Sequence, residues 1–377
     1  MNIAVNTRLL LPNSLEGIGI FSCETLKRIV TRHSEHHFFF IFDRPYSPEF
    51  IFADNVTPIK AFPPARHPYL WHLFFEYTVP KILKRVGADL FLSPDGYISL
   101  NTQVKSVAVI HDLNFEHNPE FMKTAYLGYL QRNFPKFAQH AARIATVSQF
   151  SKRDIVDIYN QNPDKIDVVY NGCNDVYKPL SQEEQDVVKQ QYTNGCDYFL
   201  FVGSIHKRKN LGNMLRAFEQ FRNNMNTTDT TAPKFVIVGS KMWRDNEIDT
   251  ILAEMYYKNE VIFMGRQQAD VLSKLMGAAT ALLYVSLFEG FGIPVLEAFH
   301  AETAVITSNV TSLPEVAGDA AMLVSPHSVE NIVEAIQQIY YDKTLRNKLI
   351  EAGRQQRQNF SWERSADLLW DCLMKAM

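Results

Sequence analysis

The stretch Leu287-Phe288-Glu289-Gly290-Phe291-Gly292-Ile293-Pro294-Val295-Leu296-Glu297-Ala298 follows an apolar run, Ala281–Val285, and leads into a helical pattern. The run is short and continuous, as a strand covered on both faces should be. The glycines let the backbone approach something closely. Pro294 suits the first helical position, where its missing N–H would be an orphan in any case. Strand, glycine loop and helix start in that order predict that the peptide N–H groups of Phe291, Gly292 and Ile293 converge at a helix N-terminus, a ready anion site suited to a diphosphate. Glu297 is expected within the first helical turn, and Glu289 lies eight positions earlier, before the loop. Both features have a plainer alternative, since an acid in a first turn complements the helix macrodipole and glycines make turns.

The same alternation runs outward in both directions. Apolar runs at Ile3–Asn6, Phe38–Phe42, Leu90–Ser93, Ser106–Ile110, Ile144–Val147 and Ile166–Tyr170 form one series of candidate strands. Tyr198–Val202, Lys234–Val238, Val261–Met264, Ala281–Val285, Ala304–Thr307 and Ala321–Val324 form a second. Helical spacing fills the intervals, as in Leu211, Met214, Leu215, Phe218, Phe221 and Met225. Strand, helix, strand repeated in this way predicts parallel sheets with crossover helices. The series restarts near residue 196, and the turn-rich Tyr170–Ser181 reads as a hinge. The polar run Asn226–Pro233 reads as a surface loop. The expected fold is α/β, with two doubly wound, Rossmann-like domains whose strand carboxyl ends face one cleft, where ligands bind.

Composition agrees. A chain of 377 residues fits two domains at roughly 100–200 residues each, and 46% apolar content supplies their cores. With Lys plus Arg at 38 and Asp plus Glu at 41, nothing attracts nucleic acid in bulk. The four cysteines are scattered without a Cys-x-x-Cys, which argues against a disulfide scaffold and for a reducing compartment. No charged and then apolar leader opens the sequence and no run reaches the ~20 residues of a spanning helix, so a cytoplasmic protein is expected.

Other stretches carry chemistry. Gly203-Ser204-Ile205-His206-Lys207-Arg208-Lys209 also leaves a strand for a helix, and its cations oppose the helix dipole unless a polyanion sits among them. The alternative is a solvated basic loop, and no P-loop pattern is present. Glu16-Gly17-Ile18-Gly19-Ile20 lacks the third glycine of a dinucleotide fingerprint and lies too far from its strand. It reads better as a loop over the ligand, although Asp43 at a strand end keeps NAD binding open. His111-Asp112 ends a strand, where a histidine can hydrogen-bond a sugar hydroxyl or act as acid or base; a structural His–Asp pair, or a metal cluster with Glu116 and His117, are the alternatives. No Asp-x-Asp occurs, so no metal-presenting carboxylate pair is expected and the anion falls to backbone dipoles and cations. His67–Arg85 interleaves Tyr69, Trp71, Phe74 and Phe75 with Lys81, Lys84 and Arg85, which suits a covered core helix, an acceptor contact or a membrane surface.

Taken in order, these pieces resemble the retaining glycosyltransferases of family four. The resemblance rests on Gly203–Leu211, Phe263-Met264-Gly265, Val285–Ala298, Val305–Ser308, Ser312–Val316 and Phe360–Glu363. Glu16–Ile20, His111-Asp112, Val147–Ser151 and Tyr170-Asn171-Gly172 extend it over nearly the whole chain. It implies a GT-B fold, with residues 1–178 plus a crossing helix at 361–377 binding acceptor and residues 179–360 binding a nucleotide sugar. It implies that Glu289 faces donor-sugar hydroxyls and that Glu297 binds the ribose diol. Phe291, Gly292 and Ile293 would offer N–H groups to sugar or phosphate, and Arg208 and Lys209 would hold the diphosphate. His111 would lie beside the transferred sugar, with Gly19 in a loop covering the phosphates. Glu302 stands in a turn where the family often has glycine, and Ser204 stands where some members add an arginine.

The implied activity is metal-independent, retaining transfer of a hexose to a saccharide or lipid-linked saccharide hydroxyl, with no resident cofactor. Mannose from GDP-mannose in bacterial surface polysaccharide synthesis, including lipopolysaccharide, is the leading expectation. UDP-glucose and UDP-N-acetylglucosamine are the alternatives, and a peripheral contact with the inner membrane face is compatible with His67–Arg85. Two rivals of other classes stand: a Rossmann oxidoreductase using NAD, and a non-catalytic carbohydrate-binding protein.

Overall fold

The computed structural model describes residues 1–12, 14–225, 232–240 and 246–377. The loop expected at Asn226–Pro233 therefore lies largely outside the described residues. The chain divides into two units, Met1–Gly172 with Ser361–Met377, and Cys173–Phe360.

The first unit holds seven parallel strands, β1 (Asn2–Asn6), β2 (His37–Phe42), β3 (Val56–Lys60), β4 (Leu90–Ser93), β5 (Lys105–Val109), β6 (Arg143–Thr146) and β7 (Ile166–Val168), in the order β3-β2-β1-β4-β5-β6-β7. β3 is the strand that the apolar pattern does not announce. It carries Pro58, tolerated because the strand lies at the sheet edge. The helix Trp362–Lys375 belongs to this unit. It packs along the helix Gly17–Arg32, with Arg28 bonded to Glu363 at 2.7 Å and Arg32 to Asp367 at 2.5 Å. Its Ser361 cap accepts from the Arg364 amide.

The second unit holds six parallel strands, β8 (Tyr198–Val202), β9 (Lys234–Val238), β10 (Val261–Gly265), β11 (Ala281–Tyr284), β12 (Ala304–Ser308) and β13 (Met322–Val324), in the order β10-β9-β8-β11-β12-β13. β8 and β11 are buried at every residue, as continuous apolar runs require. In both sheets the strand order reverses beside the first strand, at β1/β4 and at β8/β11. Open α/β sheets bind ligands at that switch point, outside the strand carboxyl ends.

Three local expectations change. Gly19 is not in a loop: it is buried in the first turn of the helix Gly17–Arg32, whose Phe21, Leu26, Ile29 and Val30 form a core face strong enough to outweigh two glycines. Glu297 lies in the second turn of the helix Ile293–His300, not the first, and Pro294 is the second helical residue. Compensation of the macrodipole therefore does not account for Glu297. The segment His67–Arg85 is half core and half surface. It runs through helix Pro68–Leu73, a π turn at Phe74–Thr78 and helix Val79–Val86. Trp71, Phe74, Phe75, Val79 and Leu83 are buried, while Tyr69 is 80% and Tyr77 53% exposed.

Candidate active site

The loops that leave β8 and β11 meet at the switch point of the second sheet. Gly203 and Gly239, with φ of 150° and 154°, end neighbouring strands β8 and β9, and a Cβ on Gly239 would stand 1.8 Å from the Gly203 carbonyl. Glycine is therefore required there. Lys207–Lys209 then form a 3-10 turn capped by His206, whose Nδ1 accepts from the Arg208 amide at 3.2 Å. Asn210 ties this turn to the β11 loop by donating to the Val285 carbonyl at 3.0 Å, and the Leu287 amide donates to the Arg208 carbonyl at 2.8 Å.

This scaffold brings Arg208, Lys209 and Glu289 together. Glu289 Oε1 accepts from Lys209 Nζ at 2.6 Å and Oε2 from Arg208 Nη1 at 2.7 Å. Arg208 Nη1 also reaches the Phe288 carbonyl at 2.6 Å. Burial would raise the Glu289 carboxyl, but the two adjoining cations outweigh it and hold the group at about 2. Lys209 is buried, so the solvated-loop alternative does not describe it.

A glycine turn follows and leads into the helix Ile293–His300. Gly292, φ 106°, is the N-cap of Ile293–His300, and a Cβ on it would meet Leu313 Cδ2 at 2.6 Å. Ser312 Oγ donates to the carbonyls of Glu289 and Phe291 at 2.9 and 3.1 Å, pinning the loop that leads into Ile293–His300. Glu297, one turn further, accepts from the Tyr177 hydroxyl; burial drives its carboxyl up to about 7, and that hydrogen bond only partly offsets the rise.

Two predicted site residues belong to the first unit. His111 follows β5 and is edge-on to Phe21 at 5.1 Å. Its Nε2 lies 2.8 Å from the Pro94 carbonyl, which can only accept, so Nε2 carries the proton and Nδ1 the lone pair. Burial lowers its pKa, and it is neutral at pH 7. Asp112 is not its hydrogen-bonded partner: it caps the Asn114 amide at 3.0 Å, while His117 pairs with Asp154 at 2.7 Å. Among the described residues no grouping of His, Cys, Asp and Glu is placed to hold a metal ion. Gly19 packs 2.9 Å, as a would-be Cβ, from the Leu9 carbonyl. Asp43, the residue that kept NAD binding open, is engaged by Arg44 at 2.6 Å and by the Ala65 amide at 2.9 Å.

Two residues of the site escape the sequence reading. Tyr284, the last residue of β11, sits against both Lys209 and Glu289, and Tyr177 sits against Glu297. A tyrosine ending an apolar strand reads as core; its position at the carboxyl end is the sole signal.

Known proteins resemble the chain in both halves. Residues 16–176 match the model of Glycosyltransferase Family 4, and residues 182–356 match that of Glycosyl transferases group 1. O-antigen chain mannosyltransferase B of Escherichia coli is 27% identical over 360 residues, 93% of each chain. The crystal structure of WaaG, a glycosyltransferase involved in lipopolysaccharide biosynthesis, superposes with a TM-score of 0.77 at 17% identity, over 98% of this chain and 99% of that one. Anabaena Alr3699/HepE in complex with UDP-glucose gives 0.75 at 16% identity, over 99% of both. No helix among the described residues is long and apolar enough to cross a membrane. With both halves matched by its models and a parallel sheet in each unit, as GT-B enzymes have, the chain belongs to the family-four glycosyltransferases, retaining enzymes that draw on a nucleotide-sugar donor.

Proposed function

We propose that this enzyme moves a hexose, mannose from GDP-mannose first among the candidates, to a saccharide or lipid-linked saccharide hydroxyl during surface polysaccharide synthesis in the cytoplasm. The observation that carries this reading is the meeting of Arg208, Lys209 and Glu289 beside the glycine turn at the β8/β11 switch point. The mannose preference rests on the names of relatives such as mannosyltransferase B. UDP-glucose is the second donor, favoured by the likeness to a protein solved with it.

Donor binding is assigned to the unit Cys173–Phe360, and acceptor binding to Met1–Gly172 with Ser361–Met377. Cleaving the sugar–phosphate bond puts negative charge on the leaving diphosphate and positive charge on the anomeric carbon. Arg208, Lys209 and the amides of Phe291, Gly292 and Ile293 stabilise the first. Glu289 receives the donor-sugar hydroxyls, Glu297 receives the ribose diol, and His111 Nδ1 accepts from a hydroxyl of the transferred sugar. Gly19, in the first turn of its helix, is assigned to the cover over the phosphates. The departing phosphate oxygen takes the acceptor proton, so the new bond forms on the face the old one left. Since cations and amides carry the diphosphate, turnover persists in EDTA.

A thermal-shift panel of GDP-mannose, UDP-glucose, UDP-N-acetylglucosamine and NADH tests the donor. A ligand at 100 times its Kd adds about 2.7 kcal/mol of stability. Stabilisation by NADH alone, or by none of the four, overturns the reading.

The exposed side of His67–Arg85 favours a membrane contact for the acceptor-binding unit. Tyr69, Leu73, Tyr77 and Lys81 recur every four residues and are all exposed. In an α-helix that spacing drifts by about 40° per step, and the extra residue of the π turn takes up the drift. Between Asn55 and Ala88 the lone acid, Glu76, is buried and accepts from the Leu100 amide, while Arg66, Lys84 and Arg85 are exposed. Aromatic rings flanked by cations suit an anionic bilayer. Sedimentation with phosphatidylglycerol vesicles, absent with phosphatidylcholine alone and lost in Y69A/Y77A, is the expected result.

A further inference from the structure

We infer that Tyr284 is a positioning residue of the transfer reaction, acting through Lys209 and Glu289. The inference rests on the function proposed above and extends it to a side chain outside the residues already given roles there.

Three polar atoms form a closed triangle. Lys209 Nζ lies 2.6 Å from Glu289 Oε1 and 2.6 Å from the Tyr284 hydroxyl, and that hydroxyl lies 2.9 Å from the same Oε1. An ammonium only donates and an ionised carboxylate only accepts. The hydroxyl therefore accepts from Lys209 and donates its proton to Glu289. Burial and the neighbouring carboxylate push the Tyr284 pKa well above its ordinary value, so the phenol keeps that proton throughout the working range. Lys209 also stands 4.7 Å from the centroid of the Tyr284 ring, which adds a cation–π contact. Tyr284 itself is 1% exposed and ends β11, where parallel pairing with β12 fixes its backbone. Its hydroxyl is consequently a fixed point on which two longer, more adaptable side chains are hung.

The consequence concerns what happens when a diphosphate arrives. Lys209 must turn a hydrogen bond from Glu289 to phosphate. With Tyr284 in place, Oε1 keeps a neutral donor while the ammonium shifts, so the carboxylate holds its orientation toward the sugar. Without the hydroxyl, Glu289 Oε1 loses its neutral donor and Lys209 loses an acceptor. The cation is then retained by the carboxylate and the carboxylate follows the cation.

The test is a double-mutant cycle with Y284F and E289Q, both of which preserve volume. Turnover of the preferred nucleotide sugar and its affinity are measured alongside urea denaturation of the four ligand-free proteins. Y284F is expected to lower kcat at least tenfold with donor KM changed by less than threefold. In the E289Q background it is expected to change the residual rate by less than twofold, because the partner it orients is gone. Interacting residues show such non-additivity and independent ones do not. A Y284F enzyme within twofold of wild type, or one losing the same factor in both backgrounds, overturns the inference while leaving the glycosyltransferase reading intact. If wild type turns over no nucleotide sugar, that reading fails instead. The denaturation cycle then decides whether Tyr284 positions Glu289: additive stability changes overturn it, and non-additive ones support it.

Discussion

The two sheets hold ion pairs at corresponding places and use them differently. Beside β1 and β4, Arg8 Nε meets Asp95 at 2.5 Å, with the guanidinium 4.3 Å from the Tyr97 ring centroid and near Phe75 and Trp71. Arg8 also donates to the Ala65 carbonyl, and Asn6 to Asp95. Cation and carboxylate are one to one, both buried, under a roof of aromatic rings. Beside β8 and β11, two cations share one carboxylate, with the Tyr284 ring against Lys209 and a glycine turn alongside. Arg208 keeps 23% of its side-chain surface in solvent. The first cluster is built to stay as it is. The second has hydrogen bonds that an incoming anion can redirect.

Breaking each pair should expose this difference. D95A leaves Arg8 charged and buried, and an uncompensated buried charge costs about 3–5 kcal/mol. Urea denaturation should show that loss, and any fall in turnover should follow the fraction unfolded. K209A should do the reverse: unfolding free energy within about 1 kcal/mol of wild type, but kcat down by about 10²–10³, the usual cost of one transition-state donor. Equal stability losses would erase the distinction.

A smaller effect is expected from pH. The Glu297 carboxyl, raised to about 7, is mostly protonated at pH 6 and mostly ionised at pH 8. Under the role proposed for Glu297, ribose hydroxyls donate to the ionised form, so nucleotide affinity should rise over that interval, by about tenfold between pH 6 and the plateau. For the ligand-free protein the sign is opposite. An acid whose folded pKa is raised favours folding fully below its ordinary value of 4.5, and this contribution is lost as pH passes through 7. Calorimetric titration of E297Q with GDP should be flat across the same range.

The least change is expected at Glu302. Its φ of 58° is a left-handed conformation suited to glycine, and its carboxylate meets Arg354 at 2.6 Å and Arg357 at 3.7 Å. E302G relieves about 1 kcal/mol of backbone strain and loses ion pairs worth about as much or less. An unfolding free energy changed by no more than about 1 kcal/mol, with turnover unchanged, is the expected measurement.

Much of this was readable because it concerns local pattern. Strands covered on both faces are continuous apolar runs, so most strands of both sheets announce themselves; β3 does not, because an edge position tolerates Pro58. Arg208, Lys209 and Glu289 stand out as charges among glycines at strand-to-helix turns. Gly19 misleads, since the apolar face that makes its segment helical begins only at Phe21. Tyr284 and Tyr177 stay hidden because their roles are long-range: the Lys209–Tyr284 contact spans 75 positions, and no local spacing encodes a hydroxyl's partner.

The return of Ser361–Met377 to the first unit has a consequence for biosynthesis. Trp362 fits where Gly172 has no side chain, its amide 2.4 Å from where a Cβ would stand, and Ser365 bonds to the Tyr170 carbonyl. On the ribosome these partners are separated by the whole of Cys173–Phe360, which takes roughly ten to forty seconds to translate. The unit Cys173–Phe360 is therefore complete, and free to fold, while the unit that begins at Met1 still waits for the helix Trp362–Lys375.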